Sequence, residues 1–160
     1  MSAHSVAGIS GNAVGRKGSA LLAIGVGGVI VGTLDLTQAF ILFGRKVPLV
    51  IAAGLLGPSA FQGGVGTYVL GVCLHFFIAG TATSVYYSAS RKLSFLTEHP
   101  LVCGLFYGMA VELVMSYVVL PLSALHSRGP YELHDVLQGL LVHMFIVGLP
   151  TSFSVRRFGK

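Results

Sequence analysis

Four apolar stretches, at residues 19–43, 65–88, 101–124 and 136–154, decide what this chain can fold into. Each is close to the roughly 20 residues that a helix needs to cross a hydrocarbon layer about 30 Å thick. Lipid offers a peptide group no hydrogen-bond partner, so each stretch must satisfy its own backbone as a helix. Of the 160 residues, 54% are hydrophobic and 9% are charged, whereas a soluble domain carries roughly 25% charged residues. The expected fold is an all-α integral membrane four-helix bundle with the lipid bilayer as its solvent.

The net charge of +5 does not point to nucleic acid, because Lys and Arg come in pairs at the ends of the apolar stretches: Arg16-Lys17, Arg45-Lys46, Arg91-Lys92 and Arg156-Arg157. Seven of the ten flank one side of the predicted membrane, in the N-tail, the loop after 88 and the C-tail; Arg45, Lys46 and Arg128 flank the other. Basic residues stay on the cytoplasmic side, so both termini are expected inside. Residues 1–18, rich in Ser, Gly and Ala, read as a flexible cytoplasmic tail, and 155–160 as a basic one. A cleaved signal peptide is the rival reading of the N-terminus, but the apolar run continues through Phe40-Ile41-Leu42-Phe43, longer than a signal core. The stretch 47–61 is too short to cross and is broken by Gly54, Gly57 and Pro58, so it is expected to be interfacial or re-entrant. Ser127-Arg128-Gly129-Pro130 is turn chemistry. Cys73 and Cys103 fall at different depths, too far apart for a disulfide, and read as buried thiols.

The second and fourth spans share a pattern. Gly71, His75, Phe77, Ile78 and Gly80 match Gly139, His143, Phe145, Ile146 and Gly148 at identical spacing. More loosely, Gly28, Gly32 and Asp35 of the first span match Gly104, Gly108 and Glu112 of the third, with the acid one residue out of register. The pattern reads as one helical hairpin used twice, related by an axis along the membrane normal.

Each span carries one deep titratable residue: Asp35, His75, Glu112 and His143. At 1.5 Å per residue, these lie about 10 to 15 Å from the same side of the membrane, so they are expected in one layer. A Gly three or four positions earlier marks the same helix face in every case: Gly32, Gly71, Gly108 and Gly139. With Gly28 and Gly104, these glycines are the expected helix-packing seams, since small residues let helices approach closely in lipid. In an up-down-up-down bundle, the order Asp35, His75, Glu112, His143 would flank each carboxylate with two imidazoles.

Four readings of that ring compete. As structural polar glue, acid and imidazole satisfy each other and set helix register. As a proton or solute pathway, they form a relay; four helices make a thin wall for a pore, so this reading favours a homo-oligomer or other membrane subunits. As a divalent metal site, the four side chains make a plausible first shell, without the close spacing that makes a metal motif diagnostic. As a haem site, His75 and His143 would be axial ligands, with two buried acids competing for the same space. Nothing in the pattern resembles a nucleophile elbow or another catalytic motif, so the sequence gives no reason to expect an enzyme. His126, Glu132, His134 and Asp135 read as solvated loop residues, and Pro121 and Pro150 as terminators or kinks.

The runs Gly32-Thr-Leu-Asp35-Leu, Leu74-His75-Phe-Phe, Leu120-Pro-Leu-Ser-Ala124 and Val142-His143-Met together resemble an uncharacterised family of small four-helix bacterial inner-membrane proteins. The resemblance covers the chain from about Gly28 onward. It implies a bacterial inner-membrane location. It carries no functional residues, because that family has no established activity.

Overall fold

The computed structural model describes residues 4–127 and 132–159, with side chains from residue 20 onward. The described residues are all-helical, and four helical stretches are long and apolar enough to cross a membrane: Ala20–Phe43, Val65–Ser90, Pro100–Leu122 and Leu133–Phe158. Large apolar side chains cover the outside, including Leu21, Ile41, Val65, Phe77 and Phe106. The interior is made of small and hydroxylated residues such as Ala23, Ala79, Thr83, Thr151 and Ser152. Water would not tolerate that surface, whereas lipid does, and helices pack through small residues there. The chain is a multi-span helical bundle.

The first span belongs to α1 (His4–Phe43), which is already helical through the segment expected to be a flexible tail. Gly44 ends it in the left-handed region, at φ 79°, and its N–H donates to the Phe40 carbonyl. A short helix α2 (Val47–Leu56) follows, then a 3₁₀ turn at Pro58–Gln62 and the second span, α3 (Val65–Ser90). The short α4 (Phe95–Glu98) leads into the third span. This span comprises α5 (Pro100–Val114), a π-helical turn (Met115–Val119) and α6 (Leu120–Leu122). The fourth comprises α7 (Leu133–Val142), a π-helical turn (His143–Gly148) and α8 (Leu149–Phe158). The turn expected at Ser127–Pro130 lies, from Arg128 on, outside the described residues.

Both π turns end immediately before a Leu-Pro pair, Leu120-Pro121 and Leu149-Pro150. Proline has no N–H, and its ring collides with the carbonyl four residues back; widening the preceding turn relieves the collision. α8 runs on for eight residues past Pro150, whereas α6 ends one residue after Pro121. The segment 155–158, expected to be a tail, is the last turn of α8: Val155 is buried there, and the Arg91 guanidinium donates to the Gly159 carbonyl at 2.9 Å.

α1 packs along α3 and along the fourth span, and the fourth span packs along α5. α3 and α5, by contrast, hardly approach each other. They are joined where the Tyr107 hydroxyl donates to the Ala82 carbonyl at 2.6 Å and the Tyr86 ring meets Tyr107 edge-on. The bundle is therefore open along one seam. We call the bundle end that carries residues 44–64 distal, and the end that carries 91–99 proximal.

α2 lies obliquely at the distal end. Its Pro48 carbonyl rests on Gly71, six residues into α3, while its Gly54 carbonyl accepts from the Ala124 N–H at 2.8 Å, just past α6. Ala52 and Ala53 are buried with Ala60 and Leu125. Alanine at Gly71 would drive a methyl into the Pro48 backbone, so Gly71→Ala is expected to unseat α2. Cysteine introduced at Ala53 should then react with a water-soluble thiol reagent at least tenfold faster than in the Gly71 background.

Candidate functional site

The four titratable residues are brought together as two pairs, not as a ring. In the first hairpin, His75 Nε2 lies 3.9 Å from Asp35 Oδ2 and donates to the Gly32 carbonyl at 2.9 Å. In the second, His143 Nδ1 faces both Glu112 Oε2 at 2.9 Å and the Gly139 carbonyl at 3.0 Å, while the Ser116 hydroxyl donates to Glu112 Oε1 at 2.8 Å. Two acceptors at Nδ1 place the neutral ring's proton there and leave Nε2 bare.

The pairs differ in completeness. Both Glu112 oxygens are hydrogen-bonded, and its side chain is 11% exposed. Asp35 has no hydrogen-bond partner among the described residues, and its side chain is 21% exposed. Two causes follow from the chain. Glu112 stands four residues after its glycine and Asp35 only three after Gly32, which turns the acids differently about their helix axes. Ser116, one turn beyond Glu112, supplies a local donor; the equivalent position on α1 is Ala39.

All six glycines expected at packing seams sit at close approaches. A Cβ on Gly28 would come within 3.0 Å of Gly80 Cα, and one on Gly32 would run into the Phe76 ring. Gly71 meets Pro48, Gly104 meets Ser152 and Gly148, Gly108 meets the His143–Met144 backbone, and Gly139 meets the Glu112 carboxylate. Gly28 on Gly80 and Gly32 on Phe76 correspond to Gly104 on Gly148 and Gly108 on Met144, so the sequence repeat has a counterpart in the packing. Gly148, the last position of the repeat, and Gly27, which no sequence pattern marks, also sit at close contacts.

A cavity of about 350 Å³ fills the open seam between α3 and the third span. Asp35, His75 and His143 line it from three different spans, among apolar side chains that include Val50 and Ile51 of α2. Toward the proximal end it is floored by the packed layer of Val31, Ala79 and Val147, with Val111 against it. α2 forms its distal wall. Glu112 is not part of the lining.

Among the described residues, no three His, Cys, Asp or Glu side chains converge in a way that could hold a metal ion. The expected four-ligand shell is opened by the separation of α3 from α5, which parts His75 from Glu112. Haem ligation would need both imidazoles to face one iron. Here the Nε2 proton of His75 is committed to the Gly32 carbonyl, so that nitrogen is not free to ligate. Cys73 is exposed on the outside of the bundle rather than buried, and Cys103 is half-buried. His134 and Asp135, expected in the outer loop, belong instead to the first turn of α7, where His134 Nδ1 and Asp135 Oδ1 lie 3.3 Å apart and both are exposed.

Compared with protein-family models, with curated proteins and with solved structures, the chain has no match.

Proposed function

We propose that this multi-span protein binds a small solute in the distal cavity, that Asp35 and His75 are the groups that meet it, and that the Glu112–His143–Ser116 set fastens the third span to the fourth. The observation that carries this reading is the convergence of Asp35, His75 and His143, from three spans, on one apolar-walled cavity. Intramembrane ionisable groups face cavities or partners, and those without a full set of partners mark ligand or proton paths. The packed layer of Val31, Ala79 and Val147 lies on the proximal side of the cavity and α2 on its distal side. With seven of the ten basic residues at the proximal end and the tails, the distal end faces outward and both termini are cytoplasmic. The resemblance of the residues quoted above to a bacterial family supports a bacterial inner-membrane location, and the open seam favours a homo-oligomer or another membrane subunit alongside α3 and α5.

The test is aqueous access. In protein carrying Cys73→Ser and Cys103→Ser, a single cysteine at Ala39, which lines the cavity, is expected to react with a charged methanethiosulfonate reagent added to proteoliposomes. A cysteine at Phe77, 70% exposed on the lipid-facing surface, is expected to stay unmodified. Equal silence at both positions would sink the reading.

A further inference from the structure

Within the cavity, one group is unfinished. Among the described residues Asp35 accepts no hydrogen bond, and His75 Nε2 is 3.9 Å away with its proton directed to the Gly32 carbonyl. No Lys or Arg lines the cavity. A carboxylate left without a hydrogen-bond donor in a low-dielectric site is costly, and an incoming cation that donates to it removes that cost, whereas an anion or a neutral solute does not.

The rest of the lining says what the cation is attached to. Apart from the two imidazoles and Ser123, the side chains are aliphatic or Met. Such walls hold an apolar body. No Phe, Tyr or Trp is among them, so the aromatic cage by which quaternary ammonium ions are held is missing. A carboxylate instead favours an ammonium that still carries N–H donors, because charge and hydrogen bond then act together.

We infer that the cavity takes a small organic ammonium ion bearing N–H and a compact apolar body, with its nitrogen at Asp35. The inference rests on the solute-binding reading and adds the ligand class. The arrangement also assigns the two pairs different roles: the second hairpin's acid is consumed by His143 and Ser116, and the first hairpin's acid is left for the ligand.

The experiment is equilibrium dialysis of radiolabelled cyclohexylmethylamine against the protein in nanodiscs, with empty nanodiscs as the partition blank. Cyclohexylmethanol, of the same shape but neutral, is run in parallel. Wild type is expected to bind the amine saturably at one per chain, and to bind the alcohol at least tenfold more weakly. Asp35→Asn is expected to lower amine affinity at least tenfold and leave alcohol binding unchanged. A second variant, Ala39→Lys, keeps Asp35 but places an ammonium one helical turn away on the same face. It is expected to suppress amine binding, which keeps the inference testable if the asparagine variant does not fold. Equal binding of amine and alcohol, insensitive to both variants, overturns the ligand class while leaving the cavity as a binding site. No saturable amine binding by wild type also overturns the class, and the reactivity of a cysteine at Ala39 then decides separately whether the cavity reading survives.

Discussion

Alanine at Gly148 is expected to cost the protein about 2 to 3 kcal/mol of stability, the upper range for forcing a methyl into a packed interior, while alanine at Gly80 is expected to be neutral or slightly stabilising. The sequence treats the two positions as equivalents. The structure does not: a Cβ on Gly148 would overlap the Gly104 carbonyl and crowd the Gly108 backbone, whereas a Cβ on Gly80 meets nothing within 4 Å. Backbone cannot swing aside as a long side chain can, so the third and fourth spans would have to separate. At Gly80 the methyl enters open space and removes the helix-destabilising freedom of glycine, a gain of about 0.5 to 1 kcal/mol. Unfolding followed by SDS titration in bicelles would measure both. Comparable effects at the two sites would show that the two hairpins do not differ in packing at these glycines.

The second large effect is expected at Glu112. Removing its side chain strips His143 of its carboxylate partner, leaves the Ser116 hydroxyl without its acceptor, and opens a hole beside Gly139. The expected loss for Glu112→Ala is about 3 kcal/mol, the lower end for breaking a buried pair in soluble proteins; membrane helices find substitute partners when separated, which moderates the cost. Asp35→Ala loses no hydrogen bond and is expected to change stability by less than about 1 kcal/mol. The same unfolding measurement compares them. A loss at Asp35 as large as that at Glu112 would refute the division of the four residues into a fastening pair and a ligand-facing pair.

Much of the architecture was legible in the chain. The four spans could be read from run length, because hydrocarbon thickness leaves a helix little choice of length. The four titratable residues and six glycines could be placed on common faces by counting, because an α-helix has a constant rise and rotation. The segments outside the spans were less legible. Residues 4–18 have few large apolar side chains yet continue α1. Residues 155–158 look like a charged tail yet complete α8, where Arg91 holds the chain end. Cys73 is apolar enough for a core and faces outward instead, since in lipid both faces of a helix are apolar and hydropathy no longer separates them.

An all-helical membrane bundle, the repeat of its hairpins and the similar depth of Asp35, His75, Glu112 and His143 follow from run length and residue spacing alone. That these four form two pairs, that one is closed by Ser116 and the other is open, and that α2 walls a cavity over the open one emerges from how the helices pack. The reason is that counting along helices gives depth and rotation but not the distance between axes. The separation of α3 from α5, the local π turns ahead of Pro121 and Pro150, and the one-residue offset between Asp35 and Glu112 together turn a symmetric pattern into an asymmetric site.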